Sequence, residues 1–277
     1  MKNKRSSSSP KRRATAQITL LTDFGTSDYF VGALKGVILS INPTIRIVDI
    51  THEIPPQDIE SAAFTLLACY ESFPVGTIHV AVIDPGVGSS RRAIAASAGG
   101  QFFVGPDNGL FSYVFEREPP KEIVRLTNEK YFRRPVSNTF HGRDIFAPVA
   151  AALSKGNRLD SFGPKISDPV ILDSLNPTKL DNGSLEGKII HVDHFGNCVT
   201  NFDKQTLNGI ESPTLRVKRQ RIDGVQQSYS EGKQNRKLFA IWGSAGFLEI
   251  SARERSAAKL LNSKRGDKVV LEVGSNL

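Results

Sequence analysis

The sequence predicts an α/β fold, with an N-terminal layered α/β domain and a smaller, mostly β, barrel-like C-terminal domain. Three observations predict it. From 18 to about 172, short apolar runs alternate with segments of helical period, the pattern of strands and helices stacked in layers. A stretch rich in Asn, Pro, Asp and Gly, 173–187, breaks that pattern. Beyond it the apolar segments are short and strand-like, with one helical segment among them.

The elements follow in order. Residues 18–21 form the first strand, and a helix is expected over 28–41, where Phe30, Val31, Leu34, Val37, Ile38 and Ile41 share one face. Ser27 is available to cap that helix and Asn42-Pro43 ends it. A second strand at 45–50 and a second helix at 57–70 lead to a third buried strand at 77–83, which delivers Asp84 at its carboxyl end. Asp23 arrives just after the first strand, and in open α/β sheets ligands collect at that end. A further helix follows His141, marked by Phe146, Val149, Ala150 and Leu153. Asp144 is its expected cap, and Pro148 is tolerable only in the first turn. Strands are expected at 188–192, 215–222, 237–241, 247–250 and 268–273, and a helix at 252–261. The domains are then 17–175 and 188–277, joined by a linker at 176–187 and preceded by a basic, disordered tail at 1–16.

Composition narrows the function. With 277 residues, 39% hydrophobic and 23% charged, the chain has material for one large or two modest cores. The formal charge of +8 is concentrated in Lys2, Lys4, Arg5, Lys11, Arg12 and Arg13. Without them 30 basic residues face 28 acidic ones, so the body offers no basic face for nucleic acid. No apolar run approaches the roughly 20 residues that span a bilayer. Cys69 and Cys198 give neither a disulfide framework nor a metal-ligand spacing, which fits a reducing cytoplasm. The basic, Ser-rich start also has the character of an organelle transit peptide.

Two short runs carry the chemistry. Asp84-Pro85-Gly86-Val87-Gly88-Ser89-Ser90-Arg91 and Phe140-His141-Gly142-Arg143-Asp144 supply an acid, an imidazole and fixed cations where the backbone turns sharply. Four other polar turns stand out: Thr22-Asp23-Phe24-Gly25, Pro106-Asp107-Asn108-Gly109, Asp193-His194-Phe195-Gly196-Asn197 and Gly243-Ser244-Ala245-Gly246. In the Asp193 run, Phe195 either stacks on a planar base whose edge Asn197 reads, or fills the core. No phosphate loop or dinucleotide fingerprint is present.

All of these turns except Gly243-Ser244-Ala245-Gly246, together with Asp49-Ile50-Thr51-His52, resemble the S-adenosylmethionine hydroxide adenosyltransferase family, kin to the fluorinating and chlorinating enzymes that use the same substrate. The resemblance runs from about Ile18 to Val273 and omits only the basic tail. It implies a trimer whose active sites lie between the N-terminal domain of one subunit and the C-terminal domain of the next. It also implies a reaction needing no cofactor or metal: S-adenosylmethionine plus water gives adenosine plus methionine. Carried over by motif, Asp84, Arg91 and His141 match the trio that activates water, with Arg92 competing for the role of Arg91. Asp23 matches the acid that holds the ribose hydroxyls. Asp193, Phe195, Asn197 and Ser244 match positions around the methionine and adenine moieties.

The chemistry suits these residues. The leaving group is a neutral thioether that needs no proton, so a base without a matching acid suffices, and either Asp84 or His141 can take the proton from water. Halide in place of water is the second reading. It is disfavoured because a carboxylate at Asp84 repels an anionic nucleophile and because the halogenating relatives lack one at that position. A nucleoside-binding or sensing protein with incidental turnover is the third.

Overall fold

The computed structural model describes residues 17–208, 210, 213–231 and 237–272, so the expected tail at 1–16 lies outside it. These residues form two compact units that are not continuous in sequence. The first takes the chain up to Gln57 together with Ser72–Asn108 and Glu118–Pro169, and the second takes Asp58–Glu71, Gly109–Arg117 and the chain from Val170. Among the described residues no helix is long and apolar enough to cross a membrane.

The strands are β1 (Gln17–Thr22), β2 (Arg46–Thr51), β3 (Ile78–Val82), β4 (Ala93–Ala98), β5 (Gln101–Pro106), β6 (Glu122–Arg125), β7 (Thr178–Lys179), β8 (Leu185–Val192), β9 (Cys198–Asp203), β10 (Thr214–Val217), β11 (Gln220–Asp223), β12 (Val225–Gln226), β13 (Leu238–Trp242), β14 (Phe247–Ala252) and β15 (Lys268–Glu272). The helices are α1 (Phe30–Ile41), α2 (Ile59–Cys69), α3 (Ser112–Arg117), α4 (Ala147–Ser154) and α5 (Ala257–Leu261).

In the first unit six strands lie in the order β2-β1-β3-β5-β4-β6. The ladder from β2 through β1 and β3 to β5 is parallel, and β4 runs against both β5 and β6. Every residue of β1 and β3 is buried, as expected of interior parallel strands, whereas β2 at the edge is half-exposed and carries Arg46 and Asp49. The chain goes from β1 to one neighbour, β2, and then to the other, β3. Such a reversal leaves a crevice at the carboxyl ends of β1 and β3, where Asp23 and Asp84 follow. Helices α1 and α4 pack on each other, α4 also on β1 and β3, and Leu34, Ile38, Val149 and Phe146 join the strands in one core.

One expectation fails here. Ser27 does not cap α1: the helix begins at Phe30 with Tyr29 in the N-cap position, and no side chain closes its first turn. Its entry is set instead by aromatic packing of Phe30 against Phe24 and Phe140, with ring centroids 5.7 and 5.1 Å away. The elements between Asp84 and His141 go unread in the sequence, although Gly99 and Gly100, at φ +54° and +77°, form the two-residue turn joining β4 to β5.

The second unit holds a nearly closed, barrel-like sheet in the order β11-β10-β15-β8-β9-β14-β13-β12, with β7 paired to β8. Its core includes Ile189, Phe202, Leu215, Leu248, Ile250 and Leu271. Helix α2, capped by Asp58 accepting from Ser61 N at 3.0 Å, packs on α3 and on β8. The single strand expected at 215–222 is the hairpin β10–β11, turned at Lys218 with φ +52°. The helix expected at 252–261 is shortened, because Ala252 still belongs to β14 and α5 starts only after Ser256, whose hydroxyl accepts from Lys259 N at 3.1 Å.

Candidate active site

Asp84 lies two residues beyond the end of β3, and two successive turns then bring Arg91 back to it. Val87 N donates to Asp84 O at 3.2 Å and Ser89 N to Gly86 O at 3.1 Å. Gly88 sits at φ +76°, and a Cβ there would lie 2.2 Å from Asn138 O, so only glycine lets this loop lie against the segment leading to His141.

One guanidinium then joins three groups. Arg91 Nε donates to Asp84 Oδ1 at 2.8 Å, Nη2 donates to Asp84 Oδ2, and Nη2 also reaches His141 Nδ1 at 2.8 Å. The Asp84 and Arg91 side chains are only 6% and 11% exposed, so water screens the pair little. Arg92 is directed elsewhere: its Nε donates to Asp107 at 2.7 Å and its Nη1 to Asp168 at 2.9 Å. Consecutive residues in extended chain point to opposite sides, which separates the two arginines. Because arginine only donates, His141 Nδ1 must accept, which puts the ring proton of neutral His141 on Nε2. Burial and then the neighbouring Arg91 charge lower the His141 pKa from its ordinary 6.5, keeping the ring neutral at pH 7.

His141 is presented by a π-helical turn, Gly142–Phe146, which runs straight into α4 with Pro148 in the tolerated first turn. This turn displaces the expected role of Asp144. The fully buried carboxylate is not a helix cap. It accepts from Arg143 Nε at 2.7 Å, Arg143 Nη2 at 2.9 Å, Ser137 N at 2.9 Å and Arg133 Nη1 at 3.2 Å, tying the loop before His141 to the turn after it. Burial alone would raise its pKa, but those donors outweigh it and hold the carboxyl below its ordinary value. The ring of Phe146 lies under Arg91, 5.3 Å from Cζ to centroid.

Asp23 reaches the same crevice. Phe24 packs edge-on against Phe140 at 5.8 Å between centroids, which draws the loop after β1 toward the turn that carries His141. Asp23 Oδ2 accepts from Gln57 N at 2.8 Å.

The remaining predicted residues belong to the second unit. Asp193 accepts from Asn197 N at 2.7 Å and from Asn197 Nδ2 at 2.8 Å, closing the β8–β9 loop. Phe195 is 76% exposed at its tip, which rules out the core-filling reading and leaves its face available for stacking. Gly196 (φ +85°) admits Ser256, whose Oγ would lie 2.1 Å from a Cβ there. Ser244 is exposed in the β13–β14 turn, where Gly246 N donates to Gly243 O at 3.1 Å. Register pairs Ile250 with Cys198 and Phe247 with Asp203, so Ser244 and Asn197 stand at opposite ends of the β9–β14 ladder. Between them lies Glu249, which no sequence motif marks although it is an acid set between Leu248 and Ile250 in β14. It is 8% exposed, and burial and then the Asp193 charge push its pKa up to about 6.

A cavity of about 590 Å³ in the second unit, bordered by Tyr113, Arg117, Asn176, Lys204 and Phe247, contains none of the predicted residues. It has no imidazole or thiol, and its acids are engaged: Glu116 accepts from Ser174 and Asn176, and Asp203 from Thr206. A carboxylate, a guanidinium and an imidazole in mutual contact occur instead at Asp84, Arg91 and His141. Among the described residues no group of three or more His, Cys, Asp or Glu side chains is arranged to hold a metal ion.

A (R)-S-adenosyl-L-methionine hydrolase of Methanocaldococcus jannaschii is 40% identical over 258 residues, covering 88% of this chain and 91% of that protein. A fluorinase of an Actinoplanes species is 30% identical over 282 residues, covering 90% and 95%. The crystal structure of an uncharacterized conserved protein from Thermotoga maritima superposes with a TM-score of 0.85 at 35% identity, covering 92% of this chain and 99% of that one. Family models of the SAM hydroxide adenosyltransferase N-terminal and C-terminal domains match residues 18–163 and 187–270, and the chain therefore belongs to the SAM hydroxide adenosyltransferase family.

Proposed function

We propose that this protein hydrolyses S-adenosylmethionine to adenosine and methionine, with Asp84, Arg91 and His141 as the catalytic residues. The single observation that carries the reading is the Arg91 guanidinium held between the Asp84 carboxylate and His141 Nδ1. The water oxygen forms a bond to the ribose 5′ carbon as the carbon–sulfur bond breaks, and that bonding pair stays on sulfur, giving the neutral thioether of methionine. The proton released from water goes to Asp84, whose oxygens each keep a lone pair beyond the one facing Arg91, whereas His141 Nδ1 has a single lone pair and Arg91 takes it. The fixed charge of Arg91 stabilises the developing hydroxide, and neutral His141 adds a donor at Nε2. The leaving group departs with its own electron pair, so the step calls for no metal or organic cofactor.

Asp23 holds the ribose hydroxyls in this reading. Asp193, Phe195, Asn197 and Ser244 hold the methionine and adenine ends, and active sites form in a homotrimer between the N-terminal domain of one subunit and the C-terminal domain of the next. The same reading places the protein in the cytoplasm, where the free thiols of Cys69 and Cys198 persist, their pKa values raised by burial to about 11. The reaction test is incubation in heavy-oxygen water with S-adenosylmethionine of either configuration at sulfur, with and without chloride. Labelled adenosine with unlabelled methionine, unaffected by chloride, is the expected result. Adenosyl chloride formed faster than adenosine, or retained nucleoside without turnover, would replace it with the halogenating or the binding reading. Light scattering reads the trimer.

A further inference from the structure

The run Asp49-Ile50-Thr51-His52, which ends β2, contributes nothing to the water-activating trio, yet His52 is 5% exposed and bonded to both neighbours of the Asp23-Phe24 pair, Thr22 and Gly25. Its side chain and its carbonyl clasp the loop after β1 from two sides. Nδ1 lies 2.8 Å from the hydroxyl of Thr22, itself fully buried, and the His52 carbonyl accepts from Gly25 N at 2.8 Å. Phe24 N donates to the same Thr22 hydroxyl at 3.3 Å. Residues 22, 24 and 25 are thus all tied, directly or through Thr22, to one histidine, and Asp23 is the residue enclosed.

The polarity of the chain of contacts follows from what each group can do. His52 Nε2 faces Asp49 Oδ1 at 3.2 Å, though the nitrogen is not aligned as a full hydrogen bond. A carboxylate only accepts, so the ring proton sits on Nε2 and Nδ1 accepts from Thr22. The Thr22 oxygen is then free to accept from Phe24 N. At the outer end Lys35 Nζ donates to Asp49 Oδ2 at 2.6 Å. Burial pushes the Asp49 pKa up, but Lys35 and His52 outweigh it and keep the carboxyl ionised. The donor direction runs outward from the Phe24 amide through Thr22 and His52 to Asp49, where it meets the Lys35 ammonium donating from the surface.

We propose that His52 is a positioning residue for nucleoside binding, holding Asp23 through Thr22 and Gly25 so that its free carboxylate oxygen meets the ribose hydroxyls. This rests on the reading of Asp23 as the ribose acid and adds the residue that sets its aim. Fixing an acceptor beforehand removes ordering that the ligand would otherwise have to impose.

The test is calorimetric binding of adenosine and of 2′,3′-dideoxyadenosine to the full-length protein and its variants. In the unmodified protein adenosine is preferred, and Asp23→Ala abolishes the preference. His52→Phe, which keeps a ring of similar volume, should lower adenosine affinity by about tenfold, the scale of one buried hydrogen bond left unmade. Dideoxyadenosine affinity should not change, and adding His52→Phe to Asp23→Ala should cost nothing more. If His52→Phe fails to fold, Thr22→Val removes only the hydroxyl and should show the same selective loss. A preference for adenosine retained in whichever of the two variants folds, while Asp23→Ala has lost it, overturns the positioning role. A preference that survives Asp23→Ala overturns the ribose assignment itself.

Discussion

Arg91 holds an anion and a neutral ring with one planar group, and its substitution tests that arrangement more sharply than removal of either partner. Lysine keeps the charge but cannot make the paired Nε and Nη2 contacts to Asp84 and still reach His141. Arg91→Lys and Asp84→Asn are each expected to lower kcat by about 10²–10⁴-fold with a smaller effect on KM, measured by adenosine release. The sign of the pH dependence follows from His141, whose pKa is lowered from 6.5. The ring is neutral at pH 7 and above, and activity should fall only as pH drops below 6.5, when a protonated ring would confront Arg91. A rate that instead rises with acidity would exclude a neutral His141. At this scale the sequence identifies the right residue types but not their partners. Spacing from Asp84 alone favours Arg91 over its neighbour Arg92, and the direction of each side chain, fixed by the strand that follows, assigns one to Asp84 and the other to Asp107 and Asp168.

Elements were legible where burial gave a continuous signal. Strands β1 and β3 and helix α1 carry long apolar patterns because the core covers them, and the arrival of Asp23 and Asp84 at the carboxyl ends of those strands was readable too, though not the strand order. The β10–β11 hairpin was not, because Leu215, Val217 and Ile222 continue an apolar pattern through a turn made by Lys218 and Arg219, which are not turn formers. Asp144 misled for a related reason: an acid ahead of a helical pattern reads as a cap, and nothing local distinguishes a π-helical turn from the start of an α-helix. The approach of the two catalytic loops depends on Gly88. Gly88→Ala combines a positive φ with a Cβ 2.2 Å from Asn138 O and should destabilise the fold by about 1–3 kcal/mol in urea unfolding. Activity should fall further than stability, because the Arg91–His141 contact crosses that approach. Unchanged kcat in a folded Gly88→Ala protein would mean the contact is dispensable.

For the molecule as a whole, buried titratable groups set opposing pH dependences. His79, 1% exposed between Thr19 and Gln101, has its pKa lowered to about 4 by burial, so its contribution is intact above 6.5 and lost as pH falls toward 4. Glu249 is the reverse case: its folded pKa, raised to about 6 from 4.5, favours the fold below 4.5 and disfavours it as pH rises through 6. Glu249→Gln should therefore gain about 2 kcal/mol at pH 8 and nothing at pH 4, read by denaturant unfolding at both values. Division of the chain is the other test at this scale. Expressed separately, 17–175 keeps α2 and α3 without β8, and 188–277 lacks both helices, so each piece should bind a hydrophobic dye that the intact protein excludes. The same discontinuity, in which the chain passes between the two units five times, bears on synthesis. All six strands of the first unit have left the ribosome by Arg125, but α2 emerges long before β8. At cellular elongation rates that interval is on the order of ten seconds. Throughout it the apolar face of Ala62, Ala63, Phe64, Leu66 and Leu67 has no β8 to cover it, which makes this helix the segment a nascent-chain chaperone would hold.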